Sequence, residues 1–107
     1  MTEFTNESVS IDVAGDGAIV VRGDIDMAAG PLLEASILQR ENQHPVVIDL
    51  EGVSFIDSSG LRSLLDAARR AQARGTEIVL RSVGPEVARL LEITGTTGQF
   101  RIDGRRD

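Results

Sequence analysis

The sequence has no cysteine, and its only aromatic residues are Phe4, Phe55 and Phe100. Disulfides and thiolate metal sites are therefore excluded, which fits a cytoplasmic protein. With so few rings, the core must be aliphatic, built from Val, Ile, Leu and Ala. No apolar run approaches the ~20 residues needed to span a bilayer. The opening MTEFTNESVS has neither the basic start nor the apolar stretch of a secretion signal, so a cytoplasmic location with no membrane partner is expected. Positive charge is also short: the formal net charge is −6. Nucleic-acid backbones and anionic membranes repel such a chain on average, so no direct nucleic-acid partner is expected. The arginines that cluster (Arg62, Arg69, Arg70 and Arg74, then Arg101, Arg105 and Arg106) read as solvated faces or protein contacts.

Catalytic signatures are missing too. A serine nucleophile needs a base and an oxyanion site. Ser58 lacks the Gly-x-Ser-x-Gly elbow, and the sole histidine, His44, lies at the far end of the strand leading to it. No carboxylate–histidine cluster has metal-ligand spacing. Glycine-rich phosphate loops are absent. The expectation is a non-enzyme without metal, cofactor or bound nucleotide.

What is present is one domain's worth of chain, 107 residues, with 41% hydrophobic composition and no linker or repeat. The domain is expected to span 1–107, with an ordered core from about residue 8 to about residue 102. Val9, Ile11 and Val13 alternate with polar residues as in a half-buried strand, and Gly15-Asp16-Gly17 turns the chain into a second strand from Ala18 to Val21. Ala29, Leu32, Leu33, Ser36 and Ile37 then share a helical face, with Asp26 as N-cap and Pro31 early in the helix. Val46 to Leu50 reads as a buried strand of the parallel part of a sheet covered by helices.

A second helix is predicted from about Ser59 to Arg74, ended by Gly75. Ile78-Val79-Leu80 forms the next strand. A third helix follows Gly84-Pro85 and closes at Gly95, and Phe100 and Ile102 belong to a short edge strand. Helix-linked strands predict an α/β fold: a mixed sheet of about four to five strands with about three helices packed on it.

The chemistry concentrates in Phe55-Ile56-Asp57-Ser58-Ser59-Gly60-Leu61. Two serines sit where a helix begins, among unpaired N–H groups and a partial positive charge. A hydroxyl there can cap the helix, and the same groups would stabilise a phosphate. Leu61 and Arg62 occupy the positions where a capping box would place Glu or Gln. Gly60 leaves room for close approach of another backbone.

Val46 to Leu50, Val53 and the Phe55-to-Leu61 stretch together resemble the STAS domain family, the domain of anti-sigma factor antagonists. Gly23-Asp24-Ile25-Asp26 is similar to that family's Gly-acidic-apolar-Asp segment, and the resemblance covers nearly the whole chain. It implies that the unphosphorylated protein docks on a kinase-type anti-sigma factor and frees a sigma factor. Phosphorylation at Ser58, with Ser59 as second choice, would abolish docking, and a phosphatase would reset the switch. The partner surface it implies comprises Asp26, Asp57, Ser58, Ser59, Gly60, Leu61 and Arg62. The same family also supplies subunits of stress-signalling assemblies and lipid-transport complexes, which is the alternative role. The sequence departs from the pattern after Ile102, where no terminal helix is expected.

Overall fold

The structure, a computed structural model, describes residues 2–105. The chain runs β1 (Thr2–Thr5), β2 (Val9–Val13), β3 (Ile19–Ile25), α1 (Gly30–Gln39), β4 (Val46–Ile56), α2 (Ser58–Ala73), β5 (Ile78–Val83), α3 (Pro85–Ile93), a short 3-10 turn (Thr97–Gln99) and β6 (Arg101–Arg105). All strands join one six-stranded sheet whose spatial order is the chain order, β1 to β6. β1, β2 and β3 pair antiparallel, and β3, β4, β5 and β6 pair parallel.

The mixed sheet and three helices match the expected α/β class, with six strands in place of about four to five. The additional strand is β1. Its Thr-Glu-Phe-Thr sequence carries no apolar alternation. It is held by pairing with β2 and by Glu3, whose carboxylate accepts from the buried Ser36 hydroxyl at 3.0 Å and pairs with Arg40, just beyond α1, at 2.6 Å. The edge strand expected around Phe100 and Ile102 is present as β6, with Ile102 paired to Leu80.

Each helix leaves one parallel strand and returns beside it, always advancing in the same direction across the sheet. Right-handed crossovers then place α1, α2 and α3 on one face. The register shows the consequence. Ile19, Ile48, Leu80 and Ile102 form a row under the helices, and the first three are essentially inaccessible. The adjacent row, Val20, Asp49, Arg81 and Asp103, points to the other face. There the Arg81 guanidinium sits between Asp49, at 3.1 Å, and Asp16, at 3.0 Å. So β4 lies in the parallel part of the sheet as expected, but helices cover only one of its faces.

The helices end as their sequences direct. Gly75 and Gly95 adopt positive φ just beyond α2 and α3. In each case the residue after the glycine donates back four residues before it, Thr76 to Ala71 and Thr96 to Leu91, both at 2.9 Å.

The feature that positions the site is β4. It is 11 residues long, more than twice the expected Val46–Leu50 segment. Two bulges against β3 each insert one extra residue into β4, between Asp49 and Gly52 and between Val53 and Phe55. Buried positions therefore change from every second residue (Val46, Ile48, Leu50) to every third (Val53, Ile56). Those bulges carry the chain to the far end of the sheet and deliver Asp57 beside the end of β3.

Candidate functional site

Asp57 ends the strand and begins the helix. Its backbone is extended (φ −95°, ψ −178°), and its carboxylate accepts the Gly60 N–H at 2.9 Å. Its own N–H donates to the Ile25 carbonyl at 3.0 Å, which ties the start of α2 to the end of β3. The cap is thus Asp57, and α2 starts at Ser58, one residue earlier than the sequence suggests. With the cap satisfied by a carboxylate, neither serine hydroxyl is needed for it. Ser58 is exposed and Ser59 half-buried.

Gly60 is packed against the sheet. A Cβ there would lie 2.5 Å from Ile25 Cγ2, 2.7 Å from the Ile25 carbonyl oxygen and 2.9 Å from Ile56 Cγ1. The close backbone approach anticipated for Gly60 is therefore to β3 of the same chain. Leu61 follows it into the core and is 6% exposed.

Across from α2 stands α1. The buried Ser63 hydroxyl bridges the helices, donating to the Gly30 carbonyl at 3.4 Å or the Ser59 carbonyl at 3.3 Å. Beside this bridge opens a groove of about 600 Å³. One wall is Met27, Gly30, Pro31, Glu34, Ala35 and Leu38, and the other is Ser58, Ser59, Arg62 and Ser63. Met27 is 74% exposed and Leu38 49%, so two large apolar side chains stand open on the α1 wall. Glu34 and Arg62 face it from opposite walls, and neither forms an ion pair among the described residues.

Asp26 shapes the edge of this groove without lining it. α1 starts at Gly30 with Ala29 at the cap position. Asp26 instead closes the preceding turn: its carboxylate accepts the Ala29 N–H at 2.9 Å and holds Met27 outward. Hydrogen bonds from the Ser8 hydroxyl and the Ala29 N–H keep its pKa below the usual carboxylate value.

Of the residues singled out in the sequence, Ser58, Ser59 and Arg62 share the groove. Asp26 and Asp57 hold its two walls in place through backbone N–H groups, whereas Gly60 and Leu61 do not line it and are buried where α2 packs on the sheet. Sequence reasoning missed the α1 wall. Its signal was available in Met27 and Leu38, large apolar residues that stand off the Ala29–Ile37 stripe.

His44 precedes β4 while Ser58 follows its other end, a separation on the order of 30 Å for such a strand. Among the described residues no group of three or more His, Asp or Glu side chains is placed to hold a metal ion. No helix among them is long and apolar enough to cross a membrane.

Comparison with known proteins places this geometry. The model of the STAS domain family matches residues 10–105. An anti-sigma-B factor antagonist from Listeria monocytogenes is 34% identical over 86 residues, spanning 78% of this chain and 75% of that protein. An anti-sigma F factor antagonist from Paenibacillus polymyxa is 31% identical, over 74% of this chain and 72% of that one. Among solved structures, an anti-sigma factor antagonist from Mycobacterium paratuberculosis superposes with a TM-score of 0.75 at 29% identity, covering 94% of this chain and 90% of that chain.

Proposed function

Because the chain belongs to the STAS domain family, we propose that it is an anti-sigma factor antagonist, a cytoplasmic regulator that works by binding and not by catalysis. In this reading the unphosphorylated protein docks a kinase-type anti-sigma factor over the groove between α1 and α2. Ser58 is the residue that the kinase phosphorylates, and a phosphatase restores the docking form. The observation that carries the proposal is the position of Ser58. Its side chain is exposed at the rim of a groove of mixed polar and apolar lining, on the first turn of α2, and the cap is already made by Asp57.

Magnitudes favour a one-phosphate switch at this position. A phosphate adds about −1.5 to −2 charges at neutral pH. In the free protein, the N-terminus of α2 and solvent tolerate it, since a helix N-terminus favours negative charge by roughly 0.3–1 kcal/mol. In a closed interface the same charge is desolvated beside Asp57, at a cost on the order of 2–5 kcal/mol. Affinity for the partner should fall by roughly 30-fold to several thousand-fold.

The test is intact-mass and fragment-mass analysis after incubation with ATP and each kinase-type anti-sigma candidate of the source genome, followed by titration of both forms against that partner. One phosphate on Ser58 with loss of affinity is expected. Equal affinity of the two forms would refute the switch. No phosphate with any candidate would favour the alternative role, a subunit of a stress-signalling assembly or lipid-transport complex.

A further inference from the structure

A second surface stands apart from the groove. On α3, Glu86, Arg89, Leu90 and Ile93 fall at the spacing of one helical face. With Ser54, Phe55 and Ile56 at the end of β4 they line a shallow depression of about 260 Å³. Phe55 is 49% exposed and Ile93 72%. The large apolar residues most exposed to solvent among the described residues are Met27, Leu38, Phe55 and Ile93, so half of them are here and half on the groove. Charge follows the same division. The arginines with described side chains all form ion pairs except Arg62 and Arg89, one at each surface. Glu86 is likewise without an ion pair among the described residues.

A face with an apolar centre and one charge of each sign on the same helix complements itself. In a two-fold contact each copy offers what the other lacks. If two α3 helices cross antiparallel, Glu86 of one copy meets Arg89 of the partner subunit, and Ile93 can seat against Phe55 of the partner subunit. We infer that the Phe55–Ile93 face is a homodimer contact, formed by a second copy of this chain. A stable, standard-size interface buries about 800 Å² per partner. One short helix face and two exposed apolar side chains offer less, so the dimer is weak and depends on concentration. It uses none of the groove residues and leaves Ser58 available in both copies.

Sedimentation equilibrium of the full chain between about 10 µM and about 1 mM tests this, a range that brackets weak association. Wild type should shift from monomer towards dimer across it. Glu86→Arg and Arg89→Glu, both exposed and expected to fold, should each remain monomeric, because like charges then oppose across the axis. An equimolar mixture of the two variants should regain dimer, because the all-basic face then meets the all-acidic one. Wild type that stays monomeric throughout, or dimerises equally well with either single variant, overturns the inference.

Discussion

Replacing Gly60 with alanine sets two effects of opposite sign against each other. In a helix, Ala is favoured over Gly by roughly 0.8–1 kcal/mol. Here the new methyl would lie 2.5 Å from Ile25 Cγ2, 2.7 Å from the Ile25 oxygen and 2.9 Å from Ile56 Cγ1. The two isoleucine methyls can shift a little, but the oxygen is backbone and already receives the Asp57 N–H at 3.0 Å. Relief requires α2 to move away from β3, which stretches that bond. Overpacking costs about 1–3 kcal/mol and a weakened hydrogen bond about 0.5–1.5, so strain wins. The net destabilisation should be about 2 kcal/mol, lowering Tm by about 9 °C for a domain of this size. Urea and thermal unfolding of Gly60→Ala would measure it. Gly98→Ala is the control, since nothing lies within 4 Å of that position and its φ is ordinary. It should stay within about 0.5 kcal/mol of wild type. If Gly60→Ala equals or exceeds wild-type stability, the reasoning that steric contact fixes α2 against β3 is wrong.

Removing the α2 cap by Asp57→Ala should cost about 0.5–2 kcal/mol in urea unfolding, whereas Asp57→Asn, an equally good cap, should cost far less. Stability should fall at acid pH partly through Asp16 and Asp26. Asp16 is held below its ordinary pKa by the Ala18 N–H and then Arg81, and Asp26 by the Ser8 hydroxyl and then the Ala29 N–H. A carboxylate depressed in the folded state stabilises it above the unfolded pKa of about 3.9, and that contribution disappears as pH falls through the lower folded value. Asp16→Asn and Asp26→Asn should therefore each lower the urea midpoint at neutral pH and flatten its decline below about pH 4. Unchanged profiles would remove these carboxylates from the account.

Much of this molecule was legible before its structure. Where the period was clean, as in Val9–Val13 or the stripe of α2, the element followed, and the glycines closing α2 and α3 marked their ends. The Asp57-to-Leu61 segment announced a helix start. Four things were not legible. β1 depends on Glu3 reaching Ser36 and Arg40, contacts more than thirty residues away in the chain. The second half of β4 hid because its bulges change the apolar spacing from two to three, which resembles neither a regular strand nor a helix. The α1 wall of the groove hid because Met27 and Leu38 are apolar residues facing outward, and a pattern reading assigns apolar residues to the core. The sequence also leaves the cap open among Asp57, Ser58 and Ser59, and the structure gives it to the Asp57 carboxylate, since a sequence does not say which of three adjacent acceptors points back along the helix.

The agreement between the order of strands in the sheet and their order in the chain bears on how the molecule assembles. No strand has to enter between two that are already paired. Each new segment finds its neighbour at the growing edge, so the longest excursion before a strand can dock is a single helix and its turns. Local closure of this kind limits the entropy lost at each step. The sheet can extend progressively as the chain leaves the ribosome, with the hairpin of β2 and β3 as the first template and each helix settling over the strands that flank it.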